Sequence, residues 1–217
     1  MLFKDHFKKQ FDNSVLKCEA CELKKSSGPV LGYGDLEPDV MFIGDVAKES
    51  DLATGVPFTG IAKERMTEVI KATELKRGDY YLTYLIKHTL PGKMKIDSLS
   101  KQPCLELLIK EIEMINPRII CSMGYFVTKY LLKEYAMKVQ HDSMNDLHGN
   151  GYIVPARTFY HSKYLRKKEP RPKRYLIPTW SPAVDNPLMN KQMMDDIKTI
   201  KAVRSLYPLL FDWKNTA

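Results

Sequence analysis

The stretch GDVAKESDLATGVPFTG, residues 44–60, decides the fold that this sequence predicts. It follows an apolar run at 40–43, which is predicted to be a buried strand, and it precedes a predicted helix at 62–72. A strand, a glycine, a polar loop and a helix in this order are typical of open α/β sheets, which place ligands at the carboxyl ends of their strands. A loop of this length is usually functional rather than a simple connection.

Phe58 is the one aromatic residue of this stretch, and it stands among the small residues Pro57, Thr59 and Gly60. Its ring can stack on a flat ligand such as a nucleic-acid base. The alternative is that Phe58 belongs to the core and that Gly44 and Gly60 serve only as turn residues.

The 217-residue chain is 44% hydrophobic and 28% charged, which is ordinary for a globular protein with a core. We expect a single domain over residues 1–217. The sequence contains no run of about 18 apolar residues, the length needed to span a membrane. The N-terminus does not fit a secretory signal. We therefore expect a cytoplasmic protein. The formal net charge of +8 favours an acidic partner, of which nucleic acid is the commonest.

Strand and helix patterns alternate along the rest of the chain. The further predicted strands cover residues 30–34, 80–86, 118–122, 152–154 and 175–179. The further predicted helices cover residues 2–16, 103–115, 125–134 and 187–206. Because strands alternate with helices, we predict an α/β fold, a three-layer αβα sandwich around a central, mostly parallel four-stranded sheet.

The four cysteines, Cys18, Cys21, Cys104 and Cys121, indicate a metal centre. Disulfides are rare in intracellular chains, and the CxxC pair lacks the preceding strand of a thioredoxin-like redox motif. Four thiolates suit tetrahedral zinc or an iron–sulfur cluster. Zinc sites usually use two tight CxxC pairs, so the wide spacing of the second pair favours a [4Fe-4S] cluster over zinc. The alternative is that Cys104 and Cys121 are buried apolar residues.

A basic segment at 157–175 interleaves lysines and arginines with tyrosines. It is predicted to be an insertion loop that contacts DNA phosphates, with rings that can stack on bases. The predicted DNA-binding residues are Lys163, Arg166, Lys167, Lys168, Arg171, Lys173 and Arg174. The alternative is a solvated insertion without a ligand.

Taken together, these motifs resemble the uracil-DNA glycosylase superfamily, specifically its iron–sulfur (family 4) branch. Residues 44–60 are similar to the first motif of that branch, 80–91 to its second, and 176–182, LIPTWSP, to its third. The four cysteines fall where the cluster ligands of the branch fall. The resemblance therefore implies a [4Fe-4S] cluster held by Cys18, Cys21, Cys104 and Cys121.

Members of this branch flip a uracil out of the DNA stack and hydrolyse its glycosidic bond. The resemblance implies DNA as the partner and a replication or repair protein as a second candidate. We expect no membrane association and a monomeric chain. The resemblance also implies Asp45 as the candidate catalytic residue and a base pocket formed by Gly44, Val46, Phe58, Tyr84 and Ser181.

Several pocket positions depart from the residues usual in the branch. Asp45 stands in place of glutamate, and residues 46–48 replace a small-residue and proline cradle. Tyr84 stands in place of the asparagine that reads the base; a phenol lacks the paired donor and acceptor of an amide and would fill much of the pocket. Ser181 stands in place of a histidine and cannot supply a cation to a developing uracil anion. An alternative alignment of the third motif would place His161 there.

Three functions are compatible with this sequence. The first is a DNA glycosylase of altered specificity, in which Asp45 orients water or stabilises the sugar cation, Phe58 stacks on the base and Tyr84 reads it. The second is a non-catalytic DNA-binding or replication accessory protein, which keeps the fold while its pocket is filled. The third is a metal-stabilised protein unrelated to DNA. Because several changes face one pocket, we expect altered or lost uracil excision.

Overall fold

The structure, a computed structural model, describes residues 2–25, 27–96, 102–138, 143–155 and 173–211. Its strands are β1 Tyr33–Gly34, β2 Val40–Val46, β3 Tyr80–Ile86, β4 Ile119–Met123, β5 Tyr152–Pro155 and β6 Lys173–Thr179. They form one six-stranded sheet in the order β1-β3-β2-β4-β6-β5. The four central strands are parallel, whereas β1 and β5 pair antiparallel at the two edges. The predicted mostly parallel sheet is confirmed, and the two edge strands extend its four-stranded core.

The helices pack on both faces of this sheet. They are α1 Leu2–Leu16, α2 Glu49–Thr54, α3 Ile61–Ala72, α4 Gln102–Ile115, α5 Tyr125–Glu134, α6 Met144–Leu147 and α7 Pro187–Phe211, with a 3₁₀ turn at Glu22–Lys25. Within the described part of the chain, none of these helices has both the length and the apolar character needed to cross a membrane.

Alternation of side chains along the strands creates two separate hydrophobic cores. The α4-side core joins one face of the sheet to α4 and α5, and includes Met41, Ile43, Ile120, Leu108, Ile112 and Leu131. The α7-side core joins the other face to α3 and α7, and includes Phe42, Ile119, Ile177, Met66, Ile197 and Ile200. The central strands are apolar on both faces, as expected of parallel strands covered by helices. The three-layer αβα arrangement is therefore confirmed.

The stretch at 44–60 contains a helix that the sequence analysis assigned to loop. The helix α2 forms there because its first turn carries Glu49 and Asp51, and acidic residues are favourable at a helix N-terminus. The helix ends at Gly55, whose φ of 71° lies in the left-handed region that glycine adopts without strain.

The parallel strands bring several chain segments together at one end of the sheet. The carboxyl ends of β2, β3, β4 and β6 lead into Ala47, Lys87, Gly124 and Trp180, respectively. Ligands of open α/β sheets bind at this end. It is therefore the part of the fold where a functional site is expected.

Candidate functional site

Phe58 and Tyr84 pack against each other at the carboxyl end of the sheet. Their ring centroids are 4.8 Å apart, and the Phe58 N–H donates a hydrogen bond to the Tyr84 hydroxyl at 2.9 Å. Tyr84 also lies directly against Gly44, where an added Cβ would come 2.6 Å from its Cε1 atom. Both aromatic side chains are only 4% exposed. Tyr84 and Phe58 therefore pack together against Gly44, and little of the Phe58 ring is open to a ligand.

Asp51 in α2 fixes this arrangement. Its buried carboxylate accepts a hydrogen bond from the Tyr84 hydroxyl at 2.9 Å and one from the Lys48 N–H at 2.8 Å. It also accepts hydrogen bonds from the N–H and the hydroxyl of Thr59, both at 2.7 Å. These bonds tie the start of α2 and the loop before α3 to β3. Asp51 was not among the predicted site residues, although an acidic residue in the first turn of a helix indicates a capping role.

Asp45 lies near the carboxyl end of β2, and its side chain turns toward the N-terminus of α5. Its carboxylate accepts a hydrogen bond from the Val127 N–H at 2.7 Å, an arrangement that the positive end of the helix favours. Burial raises the pKa of Asp45 to about 6, while hydrogen bonds from the Val127 and Phe126 N–H groups and the charge of Lys48 oppose this increase. Asp45 therefore stabilises the start of α5. Its pKa is also suited to accepting a proton near neutral pH.

We expect Asp45→Asn to increase the free energy of unfolding by about 1–3 kcal/mol at about pH 7.5. The folded-state pKa near 6 exceeds the ordinary value of 3.8. This carboxyl group therefore contributes most stability below its unfolded-state pKa, and that contribution is lost as the pH rises through 6. Asparagine accepts the same Val127 hydrogen bond without a buried charge. Urea unfolding at several pH values measures the difference.

The increase in the free energy of unfolding caused by Asp45→Asn should become smaller as the pH falls toward 4, because wild-type Asp45 is then protonated. Asp195→Asn is the matched control, since Asp195 is an exposed aspartate that pairs with Lys198 on the surface of α7. If the difference in the free energy of unfolding between wild type and Asp45→Asn did not change with pH, burial of the ionised carboxylate could not be its cause.

Three cysteines line one pocket between the end of α1 and the start of α4. Cys18, Cys21 and Cys104 lie there together with Lys87 and His88, which follow β3 directly. Burial raises the pKa of the Cys104 thiol to about 11, and the nearby Cys21 and Cys18 add to the increase, whereas Lys87 opposes it. Burial also lowers the pKa of His88. The pocket therefore combines three thiols with an imidazole that stays neutral, the form that binds metals.

Cys121 lies on the other side of the sheet, so its prediction as the fourth ligand is wrong. It is fully buried in β4 and belongs to the α7-side core with Phe42 and Ile177. Cys21 and Cys104 pack instead against the α4-side core. Side chains alternate between the faces of a strand, and Cys121 faces away from Ile120 and from the other three cysteines. Its role is that of a buried apolar residue.

The donor chemistry of the cysteine pocket suits an iron–sulfur cluster. Such clusters are held mainly by cysteine thiolates, and histidine replaces cysteine in some of them. Among the described residues, the side chains of His, Cys, Asp and Glu form no group of three or more that could hold a metal ion as they stand. A metal centre could therefore be held in this pocket only if these side chains turned toward it.

Comparison with known proteins identifies the family. The model of the uracil DNA glycosylase superfamily matches residues 31–202. The chain belongs to this superfamily. It is 30% identical over 204 residues to the type-4 uracil-DNA glycosylase of Saccharolobus solfataricus, covering 92% of this chain and 88% of the relative. It is 27% identical over 166 residues to that of Thermotoga maritima, covering 75% of this chain and 85% of the relative. The resemblance to the superfamily is confirmed.

Within the superfamily's first and second motifs, the structure brings together only part of the predicted pocket. Gly44, Phe58 and Tyr84 are in contact. Asp45 turns toward α5, and Val46 packs partly buried against the α4-side core.

Ser181 of the third motif lies in the turn that follows β6. Its hydroxyl accepts a hydrogen bond from the Ala183 N–H at 3.3 Å. Arg65 of α3 holds the same turn by donating to the carbonyl groups of Pro182 and Val184 at 2.8 and 2.6 Å. The observed contacts of Ser181 are therefore those of a turn residue, and Arg65 ties the third motif to the α3 layer.

A histidine–carboxylate pair that the sequence analysis missed lies beside the third motif. The Nδ1 atom of His148 is 3.1 Å from Oδ1 of Asp196, and the Thr179 hydroxyl donates to Asp196 at 2.8 Å. The ring of His148 lies 5.5 Å from that of Trp180. Burial raises the pKa of Asp196, although hydrogen bonds from Thr179 and His148 oppose the increase. The two residues of the pair are far apart in sequence, so no local sequence motif indicates it.

The predicted DNA-binding residues fall at the edge of the described structure. Lys163, Arg166, Lys167, Lys168 and Arg171, like His161, lie outside the described residues. Lys173 is exposed at the start of β6. Arg174 is 1% exposed and donates to Oδ1 of Asn116 at 3.2 Å, so its prediction as a phosphate contact is wrong. The strand begins at Lys173 rather than at Tyr175, and its alternation turns Arg174 inward.

Proposed function

We propose that this protein is a DNA-binding iron–sulfur member of the superfamily that acts in DNA repair, and that its uracil excision is altered or lost. The relatives named type-4 uracil-DNA glycosylases support DNA as the substrate class, and the net charge of +8 supports association with a polyanion. The observation that carries the altered activity is the packing of the buried Tyr84 ring against both Gly44 and Phe58.

The pocket geometry explains why ordinary uracil excision is not expected. A base-excising enzyme must receive a flipped base, read its edge by hydrogen bonds and stack it against a ring. Here Tyr84 covers the candidate stacking ring, and its hydroxyl is already bonded to Asp51 and to the Phe58 N–H. A base can enter only if Tyr84 moves, or if the accepted base is one that Tyr84 itself stacks on or reads.

Asp45 would carry the chemistry if excision occurs. Water must be activated at the sugar carbon, and positive charge must be stabilised there as the base leaves. A carboxyl group with a pKa near 6 is mostly ionised at neutral pH and can serve either purpose. Its hydrogen bond to the Val127 N–H holds its orientation.

The cysteine pocket would hold a [4Fe-4S] cluster, with zinc as the second candidate. Cys18 and Cys21 follow α1, Cys104 lies in the first turn of α4, and Lys87 and His88 follow β3. A cluster supplies cross-links between such segments, and metal binding of this kind stabilises the folded state. Its proposed role is structural, and no step of base excision runs through it.

A second candidate function is a non-catalytic DNA-binding or replication accessory protein, which would use a replication or repair protein as its partner. The observation that favours it is the closed set of hydrogen bonds among Asp51, Phe58 and Tyr84, which fixes the pocket in a filled state.

A strand-cleavage assay separates these functions. Purified protein of known iron content is incubated with oligonucleotides that carry uracil, hypoxanthine, xanthine or hydroxymethyluracil, and alkali reveals abasic sites. A gel shift at low and high salt runs in parallel. We expect salt-sensitive binding and uracil excision far weaker than that of the T. maritima relative.

Each outcome decides between the proposals. Excision of another base that Asp45→Asn reduces by about 100-fold or more supports a glycosylase of altered specificity. DNA binding without excision supports the accessory function. Efficient uracil excision by the wild-type chain would contradict the altered pocket, and absence of DNA binding at low salt would contradict both DNA functions. Circular dichroism and the gel shift establish that Asp45→Asn folds and binds like wild type.

A further inference from the structure

We infer that His88 is the fourth protein ligand of the iron–sulfur cluster, which completes a set of three cysteines and one histidine. This inference rests on the proposed cluster. It assigns the ligand position that Cys121 cannot occupy.

The pocket itself indicates His88. It is lined by Cys18, Cys21, Cys104 and His88, and the His88 side chain is buried. Lys87 also lines the pocket, and the remaining lining residues, Val15, Ala20, Leu85, Pro103 and Leu107, are apolar. Among the residues that line this pocket, only Lys87 and His88 could therefore add a nitrogen to the three thiols.

Lys87 is excluded as a metal ligand because its ammonium group already donates three hydrogen bonds. It donates to the Glu111 carboxylate at 2.6 Å, to the Thr83 hydroxyl at 2.5 Å and to the Tyr84 carbonyl at 3.2 Å. An ammonium group has three protons and no lone pair for a metal. His88 is left as the nitrogen ligand.

The chain on both sides of His88 is fixed against the segment that follows the CxxC pair. The Val30 N–H donates to the Lys87 carbonyl at 2.7 Å. The N–H and the hydroxyl of Thr89 both donate to the Ser27 hydroxyl, at 3.3 and 3.0 Å. These bonds fix the backbone on both sides of His88 against the segment that follows the CxxC pair, independently of any metal.

A histidine ligand changes the electronic properties of a cluster in a definite direction. A neutral imidazole in place of a thiolate makes the cluster less negative by one charge, and this favours the reduced state. The Lys87 ammonium in the same pocket acts in the same direction. The wild-type cluster should therefore have a higher reduction potential than a cluster with cysteine at position 88.

The test compares the full chain with His88→Ala, His88→Cys and Cys121→Ala, all purified and reconstituted anaerobically. Iron and acid-labile sulfide per chain, the electron paramagnetic resonance spectrum and the midpoint potential are measured. We expect about four iron and four sulfide per chain in wild type, Cys121→Ala and His88→Cys, with a lower potential in the last. His88→Ala should lose one iron and show the oxidised-state signal of a three-iron cluster.

Loss of iron in Cys121→Ala would overturn the inference. So would a His88→Ala protein with wild-type iron content and spectrum, or a colourless wild-type protein with one zinc per chain. Cys121→Ala is the matched control, because it removes a cysteine outside the pocket. None of these readouts depends on DNA. A failure to bind or excise bases is therefore distinguishable from a failure of the His88 assignment.

Discussion

Replacing Tyr84 with asparagine is expected to increase uracil excision by about 10- to 100-fold over the wild-type chain. In the wild-type chain the Tyr84 ring lies over Gly44 and covers Phe58. Asparagine would empty most of that volume and uncover the Phe58 ring for stacking. It would also present an amide, which pairs a donor with an acceptor as recognition of a base edge requires.

The same substitution should destabilise the protein by about 3–5 kcal/mol, as truncation of a buried aromatic side chain usually does. Asp51 loses the hydrogen bond from the Tyr84 hydroxyl, and the Phe58 N–H loses its acceptor. Excision must therefore be measured below the unfolding temperature of the variant. The rate of abasic-site formation is the measurement, and it is normalised to the folded fraction.

Tyr84→Phe is the matched control for this experiment. It keeps the ring in place and removes only the hydroxyl, so the pocket stays full and excision should not increase. Its destabilisation should be about 1–3 kcal/mol, because Asp51 and the Phe58 N–H lose a buried partner. A folded Tyr84→Asn protein without increased excision would contradict the idea that the ring blocks the pocket. Loss of an existing activity in both variants would instead identify Tyr84 as the residue that reads the base.

The parallel core was predictable from the sequence because its strands are buried on both faces. The run at 40–43 is continuously apolar, and the run at 80–86 is rich in aromatic and β-branched residues. Such runs predict buried strands without knowledge of the neighbouring strands. The edge strand β1 has only two residues, Tyr33 and Gly34, and a segment this short leaves almost no pattern. Its place is set by pairing with β3, which is a tertiary contact.

The candidate site was predictable only where side-chain direction did not matter. The sequence brings Gly44, Phe58 and Tyr84 to one pocket, and the structure places them in contact. The sequence alone cannot show which face of β4 carries Cys121, because a shift of one residue in the strand moves a side chain to the opposite face. Arg174 was predicted to lie in the basic loop because β6 was predicted to begin at Tyr175, whereas the strand begins at Lys173. His88 lies within the second motif, residues 80–91, but its significance as a ligand becomes clear only beside the three cysteines.

Glu111→Leu is expected to destabilise the protein by about 3–5 kcal/mol, because it leaves a buried charge without a partner. Glu111 is fully buried and Lys87 is 4% exposed, and their charged groups are 2.6 Å apart. Glu111 also accepts hydrogen bonds from the hydroxyls of Tyr81 and Thr83, both at 2.9 Å. Leucine would remove the acceptor of the Tyr81 and Thr83 hydroxyls and the only carboxylate partner of Lys87 among the described residues.

The surroundings of this pair leave little room for relaxation. A Cβ added at Gly32 would collide with the Tyr81 hydroxyl and the Glu111 carboxylate, so the chain passes directly against both. Burial raises the pKa of Tyr81 well above its ordinary value, and the Glu111 charge adds to the increase. The close packing of Gly32 against Tyr81 and Glu111 limits relaxation around a stranded Lys87, and the loss should therefore lie near the top of the expected range.

A double-mutant cycle with Lys87→Met tests whether the loss comes from the stranded charge. Replacing both members of a buried ion pair by apolar residues is often neutral, so Lys87→Met/Glu111→Leu should recover most of the stability that Glu111→Leu loses. The urea midpoint of each variant is measured at matched iron content, because Lys87 also lines the cysteine pocket. Asp195→Ala, which breaks the exposed pair with Lys198, is the control and should leave the midpoint unchanged. Additive losses in the double variant would show that the two residues stabilise the fold independently, and would contradict the buried-pair explanation.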